Sequence, residues 1–284
     1  MRYRQQELRD KNPAGPGGSA AATKSVPAVE RALLIFQELS KHGAGVTLSE
    51  LVRRLGLPRS SIHCHLLTLE RLGYLHKDEE TGRFLFGLQF FSLANRAVAG
   101  LGLRRISGPH LYALMRKTGM TVHMGVLDRH EAVLIEAIDS PYSSRIGTWV
   151  GRRMPVHCTA IGKALIASWG DEQIERLIGH GLTRYNDNTI ASASSLKAHL
   201  ARTRELGYSV DDEEEAIGLR CIGVPVRDGR GQIVAAISVA GRTDQIDGER
   251  FATLAEEVKA AARVISQQLG EPDVPGTLLP CVEG

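Results

Sequence analysis

Three short stretches of the chain hold side chains whose types and spacing bear on chemistry. LPRSSIHCHLLTL, Leu57 to Leu69, has one arginine, two histidines and three hydroxyl residues but no carboxylate, and from Arg53 to His65 there are three arginines. An acid-free basic stretch suits phosphate oxygens and base edges. His157-Cys158 pairs an imidazole with a thiol. A nucleophile needs its base facing it across space, which adjacent residues rarely achieve, so this pair is read as structural. Asp211 to Glu215 is a run of five acids. Such runs are usually solvated loops or helix starts, and no metal site is expected there.

The elements around these stretches decide what they can do. Val29, Leu33, Phe36 and Leu39 recur at helical spacing, and His42-Gly43 ends that run. Thr47-Leu48-Ser49-Glu50 is a capping box opening a helix over Leu48 to Leu55. Gly56-Leu57-Pro58 makes the turn, with Pro58 suited to the first position of the next helix. In that helix Ile62, Leu66 and Leu69 form the core stripe, which turns Ser60, Ser61, Cys64, Leu67 and Thr68 outward with Arg59 at the start. This is a helix-turn-helix pattern. Two strand-like runs about Glu80-Thr81-Gly82 then predict a hairpin, the wing of a winged helix, with Arg83 just beyond its tip. The candidate DNA contacts are Thr47, Arg59, Ser60, Ser61, His63, Cys64, Thr68 and Arg83. Arg59 can neutralise a phosphate or take guanine bidentately.

A helical connector spans about Leu88 to Gly102. Beyond it, alternation at Val122 to Val126 and Val133 to Ala137 predicts a hairpin about Asp128-Arg129-His130. A second joins Ile222 to Val226 with Ile233 to Val239 across Asp228-Gly229-Arg230-Gly231. Helices are expected over Leu103–Lys117, Ala160–Trp169, Leu196–Leu206 and Gly248–Leu269. Hairpins interleaved with helices predict an α+β fold with a mainly antiparallel sheet. The chain has 284 residues, a length that favours two domains. Its 43% hydrophobic content can fill real cores, and its net charge of +3 does not itself imply nucleic acid. No apolar run approaches the ~18 residues of a membrane span. MRYRQQELRDKN lacks the apolar segment of a secretory signal. Four cysteines without a CxxC pair fit a reduced, cytoplasmic setting.

Three motifs, in order, then point to a family. LPRSSIHCHLLTLERLGYL, GRRMPVHCTAIGKALIA and GYSVDDEEEAIGLRCIGVPVRD lie within a region, Val26 to Leu269, that resembles the IclR (isocitrate lyase regulator) family of bacterial transcriptional regulators. In the third motif Gly207, Asp211, Glu214, Cys221, Ile222, Gly223, Val226 and Asp228 fall in register with the family signature. Cys64, His65 and Arg227 depart from the usual residues, and the first two bear on DNA sequence preference.

The resemblance implies an N-terminal winged helix-turn-helix, a helical linker and a C-terminal GAF-like effector domain. It implies dimers or tetramers and a small-molecule signal, often an organic acid. Paired recognition helices then predict a pseudo-palindromic double-stranded operator, and no enzymatic activity, metal or cofactor is expected. It carries effector contacts to Ala160, Ile161, Asp211, Cys221 and Ser238. A further contact position, serine in some members, is Ala240 here. The start of the predicted helix at Ala160 offers backbone amides to a carboxylate. Asp211, an anion, is expected to accept from a ligand hydroxyl or water, or to hold the loop over the pocket. Trp149, Met154 and His123 are read as packing residues that also border the cavity.

The expected organisation is a disordered tail at 1–25, the winged helix at 26–88, the linker at 89–102, the effector domain at 103–270 and a flexible tail at 271–284. Repression is the default sense by analogy. Two other readings stand beside this one: a sensor or enzyme whose winged helix binds protein, and a metal-dependent hydrolase using the acid run.

Overall fold

The computed structural model describes residues 25–99, 102–141 and 146–270. The tail expected at 1–25, apart from Ser25, and the one at 271–284 lie outside the described residues, as do two residues of the linker. The chain divides into two compact units between Ser92 and Leu93.

The first unit opens with α1 (Pro27–Ser40), followed by β1 (Val46–Thr47), α2 (Leu48–Leu55) and α3 (Arg59–Arg71). The hairpin is β2 (Leu75–Lys77) and β3 (Arg83–Phe86), and the unit ends within α4 (Leu88–Ala99). The small sheet has the order β1-β3-β2, so the wing is stitched to the start of α2. Ile35, Leu39, Val46, Leu51, Ile62, Leu66, Leu69, Leu75 and Phe84 form the core. Gly56 ends α2 at φ 65°, a left-handed conformation that suits glycine. Pro58 is the residue before α3, one place earlier than expected. The α1 stripe is rotated from the expected one. Ile35 and Leu39 are buried, whereas Val29 and Leu33 are 56% and 52% exposed. The burial is decided by the side of α1 that meets α2 and α3, which the spacing of apolar residues alone did not settle.

The second unit contains α5 (Gly102–Thr118), the hairpin β4 (Thr121–Asp128) and β5 (Glu131–Ile138), β6 (Arg153–Pro155) and α6 (Ala160–Leu165). Then come α7 (Asp171–Gly179), α8 (Ala193–Leu206), β7 (Ser209–Asp212), β8 (Leu219–Arg227), β9 (Ile233–Arg242) and α9 (Gly248–Leu269). Among the described residues its strands form one antiparallel sheet of six, ordered β6-β5-β4-β9-β8-β7. One face is covered by α5 and α9 over Val122, Met124, Ile222, Ile237 and Val239. The other carries α6, α7 and α8 over Ala132, Leu134, Met154 and Ala236.

Two expectations need correction. The helix anticipated over Ala160–Trp169 stops at Leu165, and turns follow. The acid run is neither a solvated loop nor a helix start: its first two residues end strand β7, where Asp211 is buried opposite Cys221.

Candidate DNA interface and effector pocket

The outer side of α3 is an exposed, acid-free stripe, polar except at Leu67. Ser60, His63, Cys64, Leu67, Thr68 and Arg71 recur at spacings of three and four, with Arg59 at the start, and all are exposed. Ile62, Leu66 and Leu69 hold the opposite side in the core. Arg59 donates from one Nη to Ser49 Oγ at 3.2 Å, and Thr68 Oγ1 donates back to Cys64 O at 2.9 Å. These bonds fix the rotamers without hiding the side chains.

Three of the candidate contacts are instead engaged within the unit. Ser61 is half-buried; its Oγ accepts from Arg31 at 3.2 Å, and its carbonyl bonds His65 Nδ1 at 2.6 Å. Thr47 and Glu50 form the anticipated capping box, Glu50 N–H donating to Thr47 Oγ1 and Thr47 N–H to Glu50 Oε2. Arg83 does not reach out from the wing tip. Its Nη1 donates to Gly45 O at 2.8 Å and to Glu50 Oε2 at 3.2 Å, so it ties the wing to the cap of α2. The tip itself is acidic: Glu79 and Glu80 are exposed, and Asp78 accepts the amides of Glu80 and Thr81.

In the second unit, strand register collects the effector candidates. His123 lies opposite Ser238, Ser238 opposite Gly223, and Cys221 opposite both Asp211 and Ala240. Partners across an antiparallel pair share a face, as do residues two apart. His123, Asp211, Cys221, Gly223, Ser238 and Ala240 therefore share one side of the sheet. That side is the one under α6: a Cβ at Gly223 would sit 2.4 Å from Ala160 O, and one at Gly125 would meet Ile161. Only glycine lets the helix start come so close. Ser209 Oγ completes the seam by donating to Ala160 O at 2.6 Å. The face is thus divided, apolar at Ala132, Leu134 and Ala236, polar at His123, Ser238, Cys221 and Asp211.

The electrostatics of the polar half follow from its burial. Burial, with a smaller contribution from the Arg152 charge, lowers the His123 pKa to about 4; its Nε2 bonds Thr148 Oγ1 at 2.7 Å. Burial raises Asp211 to about 7, opposed by the hydrogen bond it accepts from Glu214 N–H at 2.8 Å. That bond ties Asp211 to the turn that follows β7. The Gly162 amide is capped by Thr159 Oγ1 at 3.1 Å, and α6 has six residues, so its start is a weaker anion site than a long helix would be.

Both units match known families in chain order. Residues 28–79 match the IclR helix-turn-helix domain, and residues 95–267 match the bacterial transcriptional regulator IclR C-terminal domain. The chain is 36% identical over 253 residues to the HTH-type transcriptional regulator KdgR of Escherichia coli, covering 88% of this chain and 95% of the relative. It is 33% identical over 255 residues to the transcriptional repressor IclR of the same organism, covering 89% and 93%. This chain belongs to the IclR family. The crystal structure of the Thermotoga maritima IclR has 27% identity and a TM-score of 0.73, covering 86% of this chain and 99% of that one. Like its relatives, this IclR-family protein is a DNA-binding transcriptional regulator and not an enzyme.

The remaining chemical candidates in this IclR-family regulator have structural employment. His157 is buried with Nε2 bonded to Thr183 O at 3.0 Å, and burial pushes the Cys158 thiol far above its ordinary range, against nucleophilic use. Each acid of the run has a partner: Asp211 the Glu214 amide, Asp212 Arg220, Glu213 the Gly218 amide, Glu214 Lys163, Glu215 Arg152. Among the described residues no group of three or more His, Cys, Asp and Glu could hold a metal, and no helix is long and apolar enough to cross a membrane.

Of the residues read as bordering the cavity, Met154 is buried in the apolar half and Trp149 is exposed. Sequence reasoning missed Lys163 and Arg152. Lys163 is fully buried on α6 and reaches both Glu214 oxygens, at 2.5 and 2.6 Å. Arg152 Nη2 meets Glu215 Oε1 at 2.7 Å. A lysine inside the apolar-looking run AIGKALIA was the available signal for the first. For Arg152 nothing local announced a partner 63 residues away.

Proposed function

We propose that this protein is a repressor whose α3 reads a pseudo-palindromic operator and whose second unit senses a small organic acid. The DNA-contact set is Arg59, Ser60, His63, Cys64 and Thr68, with Ser61, Thr47 and Arg83 holding α3 and the wing in place. The effector set is Ala160, Ile161, Asp211, Cys221 and Ser238, joined by His123. Residues 26–88 act as the DNA-binding domain, 89–102 as the linker and 103–270 as the effector domain. The observation that carries this reading is the pairing of an acid-free exposed stripe on α3 with a buried polar patch under α6. The first suits a polyanion, the second a small polar ligand. Repression is taken from one named relative, the transcriptional repressor IclR. Coupling requires that effector bind the DNA-competent and incompetent states with different affinity.

A palindromic site requires paired subunits. Val26, just before α1, and Val29 and Leu33 along one side of that helix are more than half exposed, as is Phe91 on α4. Such apolar stripes are suited to a second copy of the chain.

Selection from a pool of random duplexes tests the proposal. The expected product is an inverted repeat with half-sites about one or two helical turns apart, ~34 Å per turn, bound by a dimer or larger assembly in sedimentation. Recovery of no enriched sequence, or of a single asymmetric half-site bound by a monomer, would contradict it.

A further inference from the structure

β6 and β7 are the two outer strands of the six-stranded sheet. Arg152 precedes β6 and faces the same side as Met154, two residues on; its carbonyl accepts Leu134 N–H at 3.0 Å. Glu215 lies in the turn between β7 and β8. Yet these side chains meet at 2.7 Å. Five strand spacings would put the edges of a flat sheet about 24 Å apart, beyond the reach of one arginine and one glutamate. The sheet therefore curls, and both edge loops fold over its polar face. His123, Ser238, Cys221 and Asp211 lie on that face, and the charges of the bridge act on them, Arg152 on His123 and Glu215 on Cys221 and Asp211.

We propose that the Arg152–Glu215 ion pair is the removable roof of the effector cavity, and that Arg152 takes the effector carboxylate when Glu215 is displaced. This rests on the organic-acid reading above and assigns the residue that anchors the acid.

The charges around the floor favour Arg152. Asp211, Glu214 and Glu215 are acids, so an incoming carboxylate needs a cation. Lys163 is paired with both oxygens of Glu214. The charges of both cations reach the floor, Arg152 at His123 and Lys163 at Asp211 and Cys221, but Arg152 is the more exposed of the two. The guanidinium also donates to Gly147 O at 3.2 Å and lies 5.6 Å from the Trp149 ring centroid, contacts that hold it in place after its partner changes. Trading one carboxylate for another keeps the charge-assisted hydrogen bond of Arg152, and the displaced Glu215 carboxylate is rehydrated as it turns away from the guanidinium. A neutral isostere offers no such exchange.

Calorimetry on the full-length protein tests the proposal, with lactate, succinate and benzoate as probes, each beside its amide. At least one acid is expected to bind, and its amide to bind far more weakly. Arg152→Gln should weaken that acid tenfold or more, the usual scale for a hydrogen bond to a charged group. Glu215→Gln, which removes the competing carboxylate, should tighten it several-fold. An acid bound equally by wild type and Arg152→Gln but weakened by Ser238→Ala would overturn the roof proposal and leave the pocket standing. Equal or weaker binding in Glu215→Gln would also overturn the exchange. An acid lost in Arg152→Gln but indifferent to Ser238→Ala would instead overturn the floor assignment. Failure of every acid to bind wild type and Glu215→Gln at millimolar concentration would overturn both.

Discussion

Asp211→Asn and His123→Gln are expected to tilt the stability of the second unit against pH in opposite directions. Asp211 rises from its ordinary 3.8 to about 7 in the folded protein, burial being the main cause. The folded state then binds the proton more tightly than the unfolded state. Its stabilisation is fully present below pH 3.8 and is lost as pH rises through 7. At about 1.4 kcal/mol per pH unit the loss is about 4 kcal/mol. His123 falls from 6.5 to about 4, again chiefly through burial. It must stay neutral to remain folded, so its contribution is present above pH 6.5 and lost as pH falls toward 4, about 3 kcal/mol in all. The two slopes nearly cancel in wild type between pH 4.5 and 6.5. Both tryptophans, Trp149 and Trp169, lie in this unit, so urea denaturation followed by tryptophan emission reports on it. Relative to wild type, Asp211→Asn should gain stability from pH 4.5 to about 7 and then level off, reaching about 4 kcal/mol. His123→Gln should gain only on the acid side. Because His157 and His199 are also lowered by burial, the difference from wild type is the quantity to plot. An Asp211→Asn curve parallel to wild type across this range would refute the reasoning.

Lys163→Met leaves the buried Glu214 carboxylate without its ammonium and should cost about 3–5 kcal/mol. Adding Glu214→Gln should recover much of that loss in the same denaturation assay. At the wing, replacing Glu79 and Glu80 together by glutamine removes two exposed acids from the tip. Anisotropy titrations should show several-fold tighter binding to all duplexes alike at low salt, with the difference shrinking as salt is raised. No change would mean that the tip stays clear of DNA.

Local signals made the first unit legible. The Thr47–Glu50 capping box and the Gly56-Leu57-Pro58 turn are short-range devices, and Ile62, Leu66 and Leu69 recur with the helical period. Each feature can be read within a dozen residues. Val29 and Leu33 misled because an apolar stripe shows that a helix has a sticky side without saying what meets it. In the second unit the hairpins about Arg129-His130 and Asp228–Gly231 were readable from alternation and turn residues. The short strands β6 and β7 were not, since three or four residues carry too little period to register. The polar face was legible only through the family motif. Its assembly depends on β4, β7, β8 and β9 meeting in one register, a fact that no single stretch contains. The acid run looked solvated because five charges in a row are costly to bury, yet Lys163 and Arg152, both distant in sequence, together with nearby Arg220 and two local backbone amides, satisfy it.

The most direct test of the DNA-binding claim is the affinity of wild type and Arg59→Ala for one selected duplex across a salt series. Wild type should bind with a steep linear fall in log affinity against log salt, as expected when cations displace condensed counterions. Arg59→Ala should lose about 1–3 kcal/mol if Arg59 reads a base, with relaxed discrimination at that position, and less if it touches phosphate alone. Equal affinity of the two proteins with a salt slope near zero would contradict the account.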